Sequence, residues 1–265
     1  MFDKVTTSLR ILAAAGVEEA ASGHPGMPLG MADVGTVLYK KFLKVSNKNP
    51  SWINRDRFIL SPGHGSMLLY SLLHLNGFDL TKEDLKNFRQ FDSKTPGHPE
   101  FDLSTGIDMT TGPLGQGFST GVGFAVAERY LSELLGEDII DHFTYGIVSD
   151  GDLMEGISFE AAELAAVWKL GKLIYVFDNN NISIDGRVSK VSITDQKKKF
   201  EAIGWHVLEI DAHSEDEIST ALEDAKLIID KPSIIMAKSI IGKFAPNKQD
   251  TSGIHGSPLG AEEME

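Results

Sequence analysis

A strand–helix–strand pattern in the middle of the chain, with polar residues at the end of each strand, most constrains how this sequence can fold. One apolar run ends in Asp150-Gly151, and a second, about thirty residues later, ends in an asparagine cluster at 179–181. Residues 159–170, rich in Ala, Glu and Leu, predict a helix between them. Such a crossover joins two parallel strands, whose carboxyl ends share one edge of a sheet. The pattern therefore predicts an α/β unit with Asp150 and Asn180 at a ligand-binding edge.

The residue types at this edge are those that bind a hard metal ion. Asp150, Asn180 and the backbone carbonyl of Ile182 offer oxygen ligands suited to Mg²⁺, for which Ca²⁺ could substitute. Mg²⁺ held by so few protein ligands usually completes its shell with water and phosphates, which predicts a diphosphate-bearing ligand. Gly151 lets a phosphate approach its N–H closely, and Glu155 lies where the next helix should begin. Such residues are equally common in ordinary turns.

The sequences of these segments resemble those of a known family. Asp-Gly-x-Leu-Met-Glu-Gly-Ile-Ser, Trp-Lys-Leu-Gly-Lys-Leu-Ile and Asp-Asn-Asn-Asn-Ile-Ser-Ile-Asp-Gly are similar to the metal and diphosphate motif of thiamine diphosphate enzymes, and in particular of transketolases. Ser149 stands where that motif has its first glycine, and we expect tighter packing there without loss of the metal. The resemblance implies metal binding by Asp150, Asn180 and Ile182, and cofactor contacts by Gly151, Asp152, Glu155, Asn180 and Ile184.

Four histidines lie in loops next to glycine. Glycine precedes His24, His64 and His98, and follows His255. One loop histidine is usually incidental, but three Gly-His loops together indicate a shared polar pocket. Ala-Ala-Ser-Gly-His-Pro-Gly-Met-Pro-Leu-Gly-Met-Ala and His-Gly-x-Pro-Leu are also similar to transketolase motifs. The resemblance implies that His24 and His255 transfer protons and polarise hydroxyls, that His64 and His98 orient the substrate, and that His64 and His255 lie beside the diphosphate.

The glycine-rich segment at 111–117 precedes a long helix predicted over 118–135. Proline near a helix start is favourable, and the glycines allow a cofactor or a neighbouring helix to approach the backbone. Close helix packing alone would also explain the small residues within the helix. The resemblance places Gly112, Pro113 and Leu114 against thiamine.

Composition excludes several classes of protein. There is no cysteine, and therefore no disulfide or thiol chemistry. The formal net charge of −13 argues against a nucleic-acid partner. No apolar run approaches the roughly twenty residues of a membrane span, and no signal peptide is recognisable. We therefore expect a cytoplasmic protein without membrane or nucleic-acid partners.

Helical and strand patterns alternate along the whole chain. They predict a doubly wound α/β fold, in which a mostly parallel sheet carries helices on both faces. We expect residues 1–265 to form a single thiamine diphosphate-binding domain, with 241–265 as a C-terminal active-site loop and tail. The other predicted helices cover 2–22, 31–44, 67–75, 84–91, 194–203 and 214–228, and the other strands 57–60, 205–210 and 233–239.

One part of the machinery that the resemblance implies is missing. In that family a glutamate from a pyrimidine-binding domain activates thiamine, and this domain also contacts the sugar phosphate. We therefore expect a partner chain, the pyrimidine-domain C-terminal subunit of a split transketolase. Glu155 of this chain would contact the activating glutamate of that subunit. The chain would form a homodimer within an α2β2 assembly acting on sugar phosphates, and its start and end favour a split subunit over a truncated one.

Alternatives remain open from the sequence. Deoxyxylulose-phosphate synthase and dihydroxyacetone synthase share the Asp–Asn motif, although the set of His24, His98 and His255 favours transketolase. A non-catalytic cofactor-binding module is the alternative from a different class of protein.

Overall fold

The computed structural model describes residues 2–265, and its centre is a five-stranded sheet. The strands are β1 (Arg57–Leu60), β2 (Thr144–Ser149), β3 (Leu173–Asn179), β4 (Ile182–Ser183), β5 (Gly186–Arg187), β6 (His206–Asp211) and β7 (Ser233–Lys238). The main sheet has the order β1-β2-β3-β7-β6, and every neighbouring pair in it is parallel. Strands β4 and β5 form a separate antiparallel pair. All five main strands therefore end at one edge.

The helices surround this sheet. They are α1 (Phe2–Glu19), α2 (Gly26–Gly30), α3 (Ala32–Val37), α4 (Ser66–Leu75), α5 (Lys82–Lys86), α6 (Gln116–Leu135), α7 (Asp150–Met154), α8 (Gly156–Val167), α9 (Gln196–Ala202), α10 (Glu215–Leu227) and α11 (Ala261–Met264). A π-helical turn covers Leu38–Phe42, and 3₁₀ turns cover Gly63–Gly65, Val188–Lys190 and Ser252–Ile254. Within residues 2–265, none of these helices combines the length and apolar character needed to cross a membrane.

The central strand β3 is buried on both of its faces. Leu173, Tyr175 and Phe177 pack into a cluster with residues of α6, α8 and α9. Ile174 and Val176 belong to a second cluster, formed with residues of α1, α3, α4 and α10. Burial on both faces is typical of a parallel sheet covered by helices on each side. The predicted fold class is therefore confirmed.

Two predicted helices differ from those observed. Helix α5 ends at Lys86, although a helix was predicted over 84–91. Thr81 caps its start by accepting a hydrogen bond from the Asp84 N–H (3.2 Å), and Arg89 adopts a left-handed conformation (φ +61°) that an α-helix excludes. The predicted helix 31–44 is α3 followed by the π-helical turn.

The C-terminal segment 241–265 packs onto the rest of the molecule. Apolar residues from it form a buried cluster with residues of α1, α2 and β4; the cluster comprises Ala14, Leu29, Ile182, Ile241, Ala245, Ile254 and Leu259. The Gly242 N–H also donates to the carbonyl of Gly26 (2.8 Å). This packing brings the loop with His255 to the carboxyl edge of the sheet.

Candidate functional site

A cavity of about 220 Å³ opens at the carboxyl edge of the sheet. The loops that follow β1, β2, β3 and β7 reach it, together with α2 and the C-terminal segment. The structure brings to its wall most residues that the sequence predicts as site residues: His24, His64, His98, Gly112, Leu114, Asp150, Gly151, Asn180, Ile182, Ile184 and His255.

Four imidazole rings form a cluster on one side of the cavity. The ring centroid of His24 lies 5.1 Å from that of His64, 5.6 Å from that of His255 and 6.5 Å from that of His98. The rings of His64 and His255 are also 5.1 Å apart. Residues distant in the sequence thus place their imidazole rings around one small volume.

Hydrogen bonds from α4 hold the loop that carries His98. Ser66 Oγ donates to the carbonyl of Gly97 (2.9 Å), and the Tyr70 hydroxyl donates to that of Pro96 (2.8 Å). These side chains at the start of α4 therefore fix the loop relative to the turn that carries His64.

The backbones of two loops that line the cavity are also in close contact. A Cβ on Gly63 would lie 2.7 Å from the nitrogen of Gly112, so the close approach of the two loops requires glycine at position 63. The His64 turn and the Gly112 segment are thereby held together.

The histidines of the cluster are neutral near pH 7. Burial, followed by the nearby histidines, lowers the pKa of His64 to about 3. Burial is also the largest cause for His24, whose pKa falls to about 4 with further contributions from His255, Arg89 and His98. Burial lowers the pKa of His98 and of His255 as well. Neutral imidazoles can each donate one hydrogen bond and accept another.

Replacing His64 by asparagine is expected to remove part of the acid sensitivity of the fold. The unfolded chain binds a proton on His64 below about pH 6.5, whereas burial keeps the folded pKa near about 3. The folded state therefore loses stability as the pH falls from about 6.5 towards about 3. Between about pH 7.5 and about pH 5.5, the wild type should lose about 1.4 kcal/mol more free energy of unfolding than His64→Asn, measured by urea denaturation.

The control for this measurement is Asn87→Ala, which removes an exposed side chain without a titratable group, just after α5 and away from the cavity wall. It should show the acid sensitivity of the wild type. Equal pH dependence in the wild type and His64→Asn would contradict the prediction.

Asp150 is the carboxylate at the centre of the predicted metal site. Its Oδ2 is buried and finds no hydrogen-bond partner among residues 2–265. Burial, and then the nearby Asp178 carboxylate, raise the pKa of Asp150 to about 7. A buried carboxylate without donors is costly to ionise unless a cation compensates it. This orphaned oxygen therefore fits a bound divalent metal.

The neighbouring strand end fixes the orientation of Asn180. Its Nδ2 donates to Asp178 Oδ2 (3.0 Å), and its Oδ1 accepts the N–H of Ile182 (2.8 Å). Ser239 Oγ, just after β7, donates to the other oxygen of Asp178. Asp178 thus sets which end of the Asn180 amide carries the oxygen.

The metal site suggested by these contacts relies on few carboxylates. In the part of the chain that the structure describes, no three His, Cys, Asp or Glu side chains are grouped to hold a metal ion. The candidate ligands are instead one carboxylate, one amide oxygen and one backbone carbonyl, a set in which phosphate and water would supply the remaining oxygens.

Asp152 has a different position from the one expected of a cofactor contact. It is 0% exposed and does not line the cavity. Its Oδ1 accepts from Ser61 Oγ (2.6 Å) and the Gly115 N–H (2.9 Å), and its Oδ2 from the Ser149 N–H (2.9 Å) and Oγ (3.0 Å). Asp152 therefore ties together three loops that surround the cavity, and Ser149 packs tightly against it.

Two further predicted residues lie outside the cavity wall. Pro113 and Glu155 are both exposed at the surface. Glu155 is the residue before the first turn of α8. A second chain could reach both side chains.

Sequence reasoning missed some residues of the cavity wall: Met27, Asp178, Ser183 and Ile241. Asp178 could have been found, because it stands directly before the asparagine cluster at the end of a strand. The other three carry no comparable chemical signal.

A family model described as "Transketolase, thiamine diphosphate binding domain" matches residues 2–265. Residues 2–265 accordingly form a thiamine diphosphate-binding α/β domain. Transketolase 1 of Escherichia coli (strain K12) is 52% identical over 98% of this chain. The chain belongs to the transketolase family.

Solved structures agree with this assignment. The transketolase of Campylobacter jejuni superposes with a TM-score of 0.96 and 50% identity, covering 99% of this chain and 41% of that one. A complex of the Pichia stipitis transketolase with sedoheptulose 7-phosphate has a TM-score of 0.96 and 44% identity, covering 99% of this chain and 39% of that one. This chain spans 40% of the length of the Escherichia coli relative.

Proposed function

We propose that this chain is the diphosphate-binding part of a transketolase that depends on thiamine diphosphate and Mg²⁺. It would transfer a two-carbon ketol unit from a ketose phosphate to an aldose phosphate. The observation that carries the proposal is the meeting of four neutral imidazoles with the Asp150–Asn180 pair in one cavity. The sugar phosphate bound by the Pichia stipitis relative supports the substrate class.

We assign the metal to Asp150, Asn180 and the carbonyl of Ile182. The partnerless Oδ2 of Asp150 supports this assignment, because a cation would relieve the cost of burying that charge. Gly151 lines the cavity without a side chain, so a phosphate could approach its N–H closely. The cofactor contacts are assigned to His64, Gly112, Pro113, Leu114, Gly151, Asn180, Ile184 and His255, with Asp152 positioning the loops around them.

Thiamine diphosphate, when bound, supplies the nucleophilic carbon and the electron sink for breaking a bond next to a carbonyl. The residues of this chain would orient the sugar and exchange protons with its hydroxyl groups. We assign polarisation and proton transfer to His24 and His255, and orientation of the substrate to His64 and His98. Their lowered pKa values suit these roles, since a neutral ring can both donate and accept at pH 7.

We also propose a partner that supplies the pyrimidine-binding domain and its glutamate. The coverage of 40% of the Escherichia coli relative leaves room for such a domain, either on a separate chain or fused to this one. Exposed apolar side chains beside Glu155 support a covered surface there: Met154 is 41% exposed and Ile157 47%. The proposed assembly is an α2β2 heterotetramer in the cytoplasm.

A ketol-transfer assay tests the function. The substrates are xylulose 5-phosphate and ribose 5-phosphate, with thiamine diphosphate and Mg²⁺, and the chain is assayed alone and with the pyrimidine-domain partner. We expect activity only in the mixture, because residues 2–265 correspond to the thiamine diphosphate binding domain of the relatives. Activity of the chain alone would refute the partner, and an inactive mixture would refute transketolase activity.

A further inference from the structure

Arg89 contacts the histidine cluster from outside the cavity wall. One terminal nitrogen of its guanidinium lies 3.4 Å from His24 Nδ1, and the other donates to Ser22 Oγ (2.7 Å). Ser22 and His24 flank Gly23 in the loop after α1. Arg89 thus reaches the His24 loop from the segment that follows α5, 65 residues away in sequence.

The direction of the hydrogen bond in this contact is fixed by the chemistry of arginine. A guanidinium carries five N–H donors, has no acceptor and stays protonated in proteins. The Nδ1 atom of His24 must therefore accept. A neutral imidazole that accepts at Nδ1 carries its hydrogen on Nε2.

The opposite edge of the His24 ring faces the C-terminal loop at the cavity. A Cβ placed on Gly256 would lie 3.1 Å from His24 Nε2, and the ring of His255 stands edge-on to that of His24. His24, His64, His98 and His255 all line the cavity. Among the groups that lower the pKa of His24, Arg89 is the cation. Because Arg89 occupies Nδ1, Nε2 is the ring nitrogen that remains for a ligand in the cavity.

The local structure holds Arg89 in an energetically unfavourable conformation. Its backbone is left-handed (φ +61°), which is unfavourable for a residue with a side chain, and its Nε is buried without a partner in the described chain. The guanidinium carbon lies 5.4 Å from the centre of the Phe88 ring. A Cβ on Gly97 would approach Nε to 3.0 Å, so glycine there makes room for the arginine. Strain of this kind persists where the surrounding structure overdetermines a conformation.

We propose that Arg89 is a positioning residue that keeps the hydrogen of the His24 imidazole on Nε2, so that His24 presents an N–H donor to the cavity. A donor there suits a carbonyl or hydroxyl oxygen of a sugar. This role for the donor rests on the proposed function, whereas the tautomer itself does not. Arg89 also contributes to the lowering of the pKa of His24, which prevents the ring from becoming a cation at pH 7.

Nitrogen NMR of the full chain tests the tautomer directly. Long-range proton–nitrogen spectra of ¹⁵N-histidine-labelled protein at neutral pH distinguish a protonated ring nitrogen from an unprotonated one, and His24→Gln identifies the His24 signals. We expect a protonated Nε2 and an unprotonated Nδ1 in the wild type. In Arg89→Met, which has a similar length but no donor, His24 should become a mixture of both tautomers.

The control is Arg129→Met, because Arg129 is exposed, pairs with Glu133 within α6 and does not line the cavity. Its His24 signals should match the wild type. Hydrogen on Nδ1 in the wild type overturns the proposal whether or not Arg89→Met folds, and unchanged His24 signals in folded Arg89→Met also overturn it. The measurement needs no cofactor, partner or turnover, so an inactive enzyme would refute the proposed function and leave the tautomer result standing.

Discussion

Replacing Asp150 by alanine is expected to weaken Mg²⁺-dependent binding of thiamine diphosphate by on the order of 100-fold or more, since even residues that only support metal ligands typically contribute 10–100-fold. The fold should survive, because Asp150 Oδ2 has no hydrogen-bond partner in residues 2–265 that the change could break. Burial raises the pKa of this carboxyl to about 7, so its ionised form is unfavourable without a cation. In the absence of metal, the free energy of unfolding should therefore stay constant or rise.

Isothermal titration with thiamine diphosphate measures the binding, with Mg²⁺ present or removed by chelation, on the chain alone and with its partner. Urea denaturation without metal measures the stability. Asp230→Ala is the matched control, since Asp230 is exposed at the opposite end of the sheet, beyond α10. Unchanged affinity in Asp150→Ala would exclude Asp150 as a metal ligand. A large loss of stability would show that its carboxylate has a structural partner.

The sequence predicted the fold and the position of the site because both depend on patterns along the chain. The apolar runs that became β2 and β3 end in Asp150 and the asparagine cluster, and parallel strands place such ends together. The observed pairing aligns Ser149 with Asp178, which puts the two polar ends side by side. The glycines next to the histidines marked the loops that meet at this edge.

Contacts between distant segments could not be predicted from the sequence. Asp152 stands within the motif that resembles a cofactor site, so the resemblance implied a ligand contact. The structure instead turns it inward to Ser61, 91 residues away. No local pattern signals that pairing. Arg89 was hidden for a related reason: it falls in a segment predicted as helix, where its left-handed conformation could not be anticipated.

Replacing Asp152 by alanine is expected to lower the free energy of unfolding by about 4 kcal/mol, because each buried donor left unsatisfied costs about 1–3 kcal/mol. The donors that lose their acceptor are Ser61 Oγ, the Gly115 N–H, and both the N–H and the Oγ of Ser149. Asp152→Asn should lose about half as much, since the amide keeps one acceptor but turns its NH₂ group towards a donor. Urea denaturation of the metal-free chain measures both values.

Exposed Asp138, in the turn after α6, provides the control Asp138→Ala, which should stay within about 0.5 kcal/mol of the wild type. A loss below about 1 kcal/mol in Asp152→Ala would show that water replaces the carboxylate, contrary to its complete burial. Asp152 also joins the loops that carry His64, Leu114 and Asp150, so its loss should weaken cofactor binding without removing any cavity contact. Asp150→Ala should weaken binding alone, whereas Asp152→Ala should weaken binding and stability together. The two variants therefore distinguish a residue that holds the ligand from one that holds the site.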